Sequence, residues 1–169
     1  MDVRETVSYY ATLETEAKKI VEKLRDVGIK AYITGGLALD YYTSQLHPHS
    51  DIDIMIDGFS NDLVGRVDSV MRSLGYTAVH WGARKNGTTS IIVFEKEFTL
   101  YNVVVDIFFK SFNGVMPFFG EMRGDPENDY YLHKAILLVH YGIGAGITNN
   151  SRSKDAQRFK ELLRTFFED

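Results

Sequence analysis

The sequence predicts an α+β fold: a mixed sheet with helices packed on it and a short C-terminal helical appendage. Three observations carry that expectation. Apolar residues recur at helical spacing near both ends of the chain. Short runs rich in β-branched and aromatic residues fill the middle. The segments run as one helix, then mixed strands and helices, then two closing helices.

The first helix rests on Val7, Tyr10, Leu13, Ala17, Ile20, Val21 and Leu24, with Gly28 as its stop. Residues 29–34 read as a short strand, broken by Gly35-Gly36, and residues 37–46 as a helix. His47-Pro48-His49-Ser50 is a loop, because the residue before proline avoids the helical region. From Asp51 to Asp57, acids alternate with Ile52, Ile54 and Ile56, the period of a strand. Ser60 is placed to cap a helix carrying Leu63, Val64, Val67, Val70, Met71 and Leu74, which Gly75 ends. Residues 77–81 follow as another strand. Residues 90–95 and 101–109 read as paired strands about a polar turn, and Arg84-Lys85-Asn86-Gly87 as a hairpin turn. Asp125-Pro126 predicts a helix start, with the helix running to about His140. Gly142, Gly144 and Gly146 then read as a joint. Ser153 is expected to cap a last helix with Phe159, Leu162, Leu163 and Phe166 on its inner face. A soft boundary at 111–120 divides a core of residues 1–110 from a helical segment, 111–169, packed on it.

With 169 residues, a sizeable core is within reach of one domain. The net charge of -4 provides no global positive field for nucleic acid, which mildly disfavours RNA as a partner. The absence of cysteine excludes disulfides, thiolate zinc sites and a cysteine nucleophile. The first ten residues lack the basic start and apolar run of a signal peptide, and no apolar stretch is long enough to span a bilayer. The expected location is the cytoplasm.

The chemistry begins at Asp51-Ile52-Asp53. Strand side chains alternate between faces, so both carboxylates point one way while Ile52 and Ile54 point into the core. Paired carboxylates repel, and hard oxygen ligands suit magnesium or manganese as the compensating cation. A solvated strand edge would also produce the pair. Upstream, Gly35-Gly36 joins a strand to a helix, where backbone can approach a ligand and helical N–H groups meet phosphate. Downstream, Asp106 is a lone acid in the apolar run of residues 103–109. Its burial is costly without a partner, which a third cation-facing position or a nearby Lys or Arg would supply.

Ile33-Thr34-Gly35-Gly36, Asp51-Ile52-Asp53-Ile54 and Val105-Asp106, in this order, resemble the nucleotidyltransferase superfamily, the DNA polymerase β-like group. The stretch 35–40, with His49-Ser50-Asp51-Ile52-Asp53, is most similar to aminoglycoside and lincosamide nucleotidyltransferases. Toxin-type members acting on RNA share a similar layout. The resemblance implies transfer of a nucleoside monophosphate from a nucleoside triphosphate, ATP included, to a hydroxyl of an acceptor, chiefly a small molecule. Asp51, Asp53 and Asp106 would bind Mg2+ or Mn2+ and carry catalysis. Gly35, Gly36 and Ser50, with Lys134 and Lys154, would bind the nucleotide. Asp40 and His49 would meet the acceptor. The alternatives are an exposed helix acid at Asp40, a turn-shaping loop histidine at His49, and solvated faces for both lysines. The rival functions are a non-catalytic nucleotide-binding or antitoxin-like module and a toxin-type nucleotidyltransferase acting on RNA or protein, and a homodimer or a helical partner protein fits any of these.

Overall fold

The sheet is built from β1 (Ala31–Thr34), β2 (Asp51–Asp57), β3 (Thr77–Ala83), β4 (Thr89–Glu97) and β5 (Asn102–Lys110), in the spatial order β1-β2-β5-β4-β3. Only β2 and β5 run parallel; the other three pairings are antiparallel. The helices are α1 (Val3–Asp26), α2 (Gly35–Thr43), α3 (Asn61–Ser73), α4 (Lys134–Gly146) and α5 (Ser153–Arg164). The computed structural model describes residues 3–46, 51–83, 89–110, 122–146 and 153–168. The expected α+β architecture is the one observed. The hairpin turn at 84–87 and the loop 47–50 lie outside the described residues.

Each element follows from local chemistry. The apolar stripe of α1 buries Leu13, Ala17, Ile20, Val21 and Leu24 against β1, β2 and α3. Its chain reverses at Gly28, whose φ of +81° suits glycine. Ser60 caps α3 by accepting a hydrogen bond from the Leu63 N–H at 3.0 Å. Ile52, Ile54 and Ile56 of β2 are fully buried, as are Val103, Val105 and Ile107 of β5. A buried carboxylate stitches the layers: Glu16 of α1 accepts from the Tyr76 hydroxyl at 2.9 Å and meets Lys19 at 2.9 Å and Lys96 of β4 at 3.6 Å. Burial works to raise its pKa, but the bonds from Lys19 and Tyr76 and both lysine charges outweigh it and hold it below the usual value.

Three expectations need correction. The helix expected from Asp125 begins at Lys134 instead. Asp125 does cap, but it caps a turn: its Oδ2 accepts from the N–H groups of Glu127 and Asn128 and from the Tyr41 hydroxyl. The next residues are claimed by the sheet. The Ile33 N–H donates to the Tyr130 carbonyl at 2.7 Å, and the Leu132 N–H to the Ile33 carbonyl at 2.8 Å. This pairing covers the open edge of β1, where unpaired backbone is costly. Second, Gly142 is no joint. It lies inside α4, and a Cβ there would meet the Phe159 ring at 3.1 Å, so its smallness lets α5 dock. Third, Phe166 falls beyond the end of α5 and is exposed. Leu162 is fully buried and Phe159 packs on the core, as expected.

Candidate active site

A row of side chains crosses four strands at one level. Thr34 of β1 pairs with Asp53 of β2, Asp53 with Asp106 of β5, and Asp106 with Val93 of β4. Asp51, two residues back along β2, shares the face of Asp53. All three acids keep partial access to solvent while their strand neighbours Ile52, Ile54, Val105 and Ile107 are buried. The carboxylates therefore share one partly accessible face above the buried strand residues.

Asp53 is the centre of this arrangement. Burial, then the charges of Asp106 and Asp51, push its carboxyl up to about 8, and it is hydrogen-bonded to Asp106. The two adjacent carboxyls thus share a proton near neutral pH, because both cannot ionise side by side without a cation. Among the described residues, the Arg158 guanidinium of α5 acts on Asp53 in the opposite sense.

The glycine turn fits against this acid. Gly35 has φ +63°, and a Cβ built there would lie 1.9 Å from Asp53 Oδ2 and 2.6 Å from its Cγ. Only glycine permits both the left-handed backbone and this approach. Thr34 precedes α2 as its cap residue, yet its side chain makes no capping bond. Its Oγ1 is buried and has no hydrogen-bond partner among the described residues. Polar atoms left this way beside a cleft mark places where a ligand completes the bonding.

The donor chemistry fits a hard divalent cation. Adjacent carboxyls with poor hydration and a shared proton can exchange that proton for a metal ion. Among the described residues, no three acids or histidines are drawn together tightly enough to form a ready-made cage.

Other residues singled out from sequence fall in varied places. Asp40 is half-buried on α2 and lines a groove of about 410 Å³ with Tyr10, Glu14, Tyr41 and Tyr131. Tyr41 stacks on Tyr131 with ring centroids 4.3 Å apart. Lys134 is not brought to the acids. Its Nζ donates to the Thr165 carbonyl at 3.2 Å and lies over the Phe166 ring. Lys154 belongs to α5, and His49 and Ser50 lie outside the described residues. Sequence reasoning singled out neither Arg158 nor the unpartnered Thr34 hydroxyl. Arg158 falls one helical turn after Lys154 and Asp155, a spacing that places it on their side of the helix.

Known proteins resemble this chain over part of its sequence and in its fold. The sequence model of the aminoglycoside-2''-adenylyltransferase family matches residues 16–97, which include the glycine turn, Asp51 and Asp53 but stop short of Asp106. No curated protein matches the sequence. Among solved structures, the solution structure of the antibiotic-resistance factor ANT(2'')-Ia aligns with a TM-score of 0.60 and 12% identity, over 94% of this chain and 85% of that one. A crystal structure of ANT(2'')-Ia in complex with adenylyl-2''-tobramycin aligns at 0.54 and 12%, over 92% and 90%. An antigenic nucleotidyltransferase-like protein from Paracoccidioides brasiliensis aligns at 0.58 and 13%, over 90% and 75%. These neighbours share the fold of this chain. No described helix is long and apolar enough to cross a membrane.

Proposed function

We propose that the protein transfers a nucleoside monophosphate from a nucleoside triphosphate to a hydroxyl of a small-molecule acceptor, with a divalent metal. The observation that carries this reading is the desolvated Asp53–Asp106 pair set against Gly35. Asp51, Asp53 and Asp106 would hold Mg2+ or Mn2+. A bound divalent ion supplies neutralisation of the leaving pyrophosphate and a more acidic acceptor hydroxyl. Asp106, on the strand beside Asp53, is the group to take the hydroxyl proton. Gly35 and Gly36 begin α2 and offer backbone N–H groups to phosphate. The likeness to adenylyltransferases favours ATP as donor.

The acceptor reading rests on the groove beside α2. Glu14 and Asp40 bring acid to a surface of tyrosine rings. Acids paired with flat aromatic walls favour a cationic, hydroxyl-rich ligand, as an aminoglycoside is. In this scheme residues 1–110 carry the catalytic core and residues 111–169 form a segment packed on it. The cytoplasm is the compartment that holds its donor.

Calorimetry with a non-hydrolysable ATP analogue, with and without magnesium, tests the donor site. Binding that requires magnesium and disappears in the Asp51→Asn/Asp53→Asn variant is expected, followed by pyrophosphate release with an aminoglycoside acceptor. A folded wild-type chain that binds no nucleoside triphosphate would remove the enzyme reading and favour a partner module.

A further inference from the structure

Resting on that reading, we propose that Thr34 is a positioning residue for Asp53: its buried hydroxyl donates to the Asp53 carboxylate when a divalent cation occupies the three acids. Thr34 ends β1, and Asp53 stands directly opposite it on β2. Facing residues of an antiparallel pair project to one side of the sheet, with Cβ atoms about 4.5–5.5 Å apart. A turn about one side-chain bond therefore brings a threonine hydroxyl to a facing carboxylate. The preceding Ile33 pairs with Ile54, and both are fully buried on the other side. Thr34 itself is 2% exposed, and its Oγ1 has no hydrogen-bond partner among the described residues.

The ordinary use of a threonine at this place is not taken. A residue before a helix commonly accepts from a helical N–H, yet Thr34 makes no such bond. Gly35, the next residue, has φ +63°, so the first turn departs from the backbone that capping needs. A hydroxyl buried without a partner costs stability, and a valine of the same shape would not carry that cost. Asp53 accounts for it. In the metal-free chain Asp53 is hydrogen-bonded to Asp106, away from β1. A carboxylate that gives one oxygen to a cation keeps acceptor capacity on the other, and metal-ligating carboxylates are held by hydrogen bonds of their own. Position 35 has no side chain to offer, since even a Cβ there would lie 1.9 Å from Asp53 Oδ2. On the β1 side, Thr34 is the side chain in register with this acid.

Calorimetric titration of Mn2+ into the full chain, with the non-hydrolysable ATP analogue present, tests the role. Thr34→Val should weaken the metal roughly tenfold to a hundredfold. The same variant should melt higher than wild type when metal-free, because the orphan hydroxyl is gone. Thr34→Ser keeps the donor and should bind Mn2+ near wild-type affinity. Thr34→Ala carries the affinity comparison if the Val variant does not fold. A folded Thr34→Val chain with wild-type Mn2+ affinity overturns the positioning role and leaves the metal site intact. A loss in Thr34→Ser as deep as in Thr34→Val overturns it too, since shape and not the hydroxyl would then matter. A wild-type chain that binds no Mn2+ overturns both this inference and the reading beneath it.

Discussion

At the scale of single residues, the site depends on one close approach. Gly35 lies against the Asp53 carboxylate, and neither can change without the other. Gly35→Ala adds a methyl where there is no room and forces a left-handed backbone that costs about 1–2 kcal/mol without glycine. Asp53 must then move, so magnesium-dependent nucleotide binding should fall with the melting temperature. Retained binding at wild-type affinity would mean that the turn is only structural. Asp53→Asn has the opposite thermal sign. It removes a repelled charge, so the metal-free chain should melt higher at pH 9 than wild type. Turnover should nevertheless drop by at least roughly 10²-fold, because hard-ion ligation is lost. An Asn variant with normal turnover would end the assignment of Asp53. The acids and the glycine turn were legible in the sequence because strand alternation and a strand-to-helix break are local patterns. Arg158 was not, because its charge acts on Asp53 only once α5 packs on α2.

Among the elements, the instructive departure is the segment between β5 and α4. Asp125-Pro126 carries a genuine capping signal, yet it terminates in a turn. The unpaired edge of β1 draws residues 130–132 into extended pairing, and tertiary hydrogen bonds override the local helix preference. Arg25 reinforces this clamp, donating to the Asp129 carbonyl at 2.6 Å and the Ala31 carbonyl at 3.0 Å. Asp125→Ala removes the acceptor shared by Glu127, Asn128 and Tyr41, at a cost of about 1–2 kcal/mol. The Ile33 and Leu132 amides should then exchange faster with solvent, while the β4 and β5 amides stay protected. Uniform acceleration across the sheet would show that the turn supports the whole fold and not this edge. The helices and strands upstream were readable because their apolar periodicity is long and their stops are glycines. Gly142 misled because a glycine that admits a neighbouring ring looks, in sequence, like one that frees the backbone.

The molecule as a whole carries two acids whose pKa shifts oppose each other, and the pair sets its stability against pH. Glu16 is held below the usual carboxylate value by Lys19 and Tyr76, so its contribution is present above the unfolded pKa and lost as pH falls through the folded one. Asp53 is raised to about 8, chiefly by burial and then by Asp106 and Asp51. Its contribution is present below the unfolded value, about 4, and lost as pH rises through the folded one. Metal-free protein should therefore be most stable near about pH 4–5, losing melting temperature as pH falls through the folded value of Glu16 and as it rises from about 4 toward about 8, by roughly 2–4 °C for each kcal/mol. The two limbs have different owners. Glu16→Gln should lower the plateau and flatten the acid limb, because the buried charge that Lys19 and Lys96 neutralise is gone. Asp53→Asn should flatten only the alkaline limb. Magnesium should do the same to the wild type, since a cation that replaces the shared proton removes the repulsion that ionisation creates. Its binding should strengthen as pH rises toward 8 and release a proton, measurable by calorimetry in buffers of different ionisation enthalpy. An alkaline limb that magnesium leaves untouched, in a chain still sensitive to Asp53→Asn, would place the cation away from this carboxylate pair.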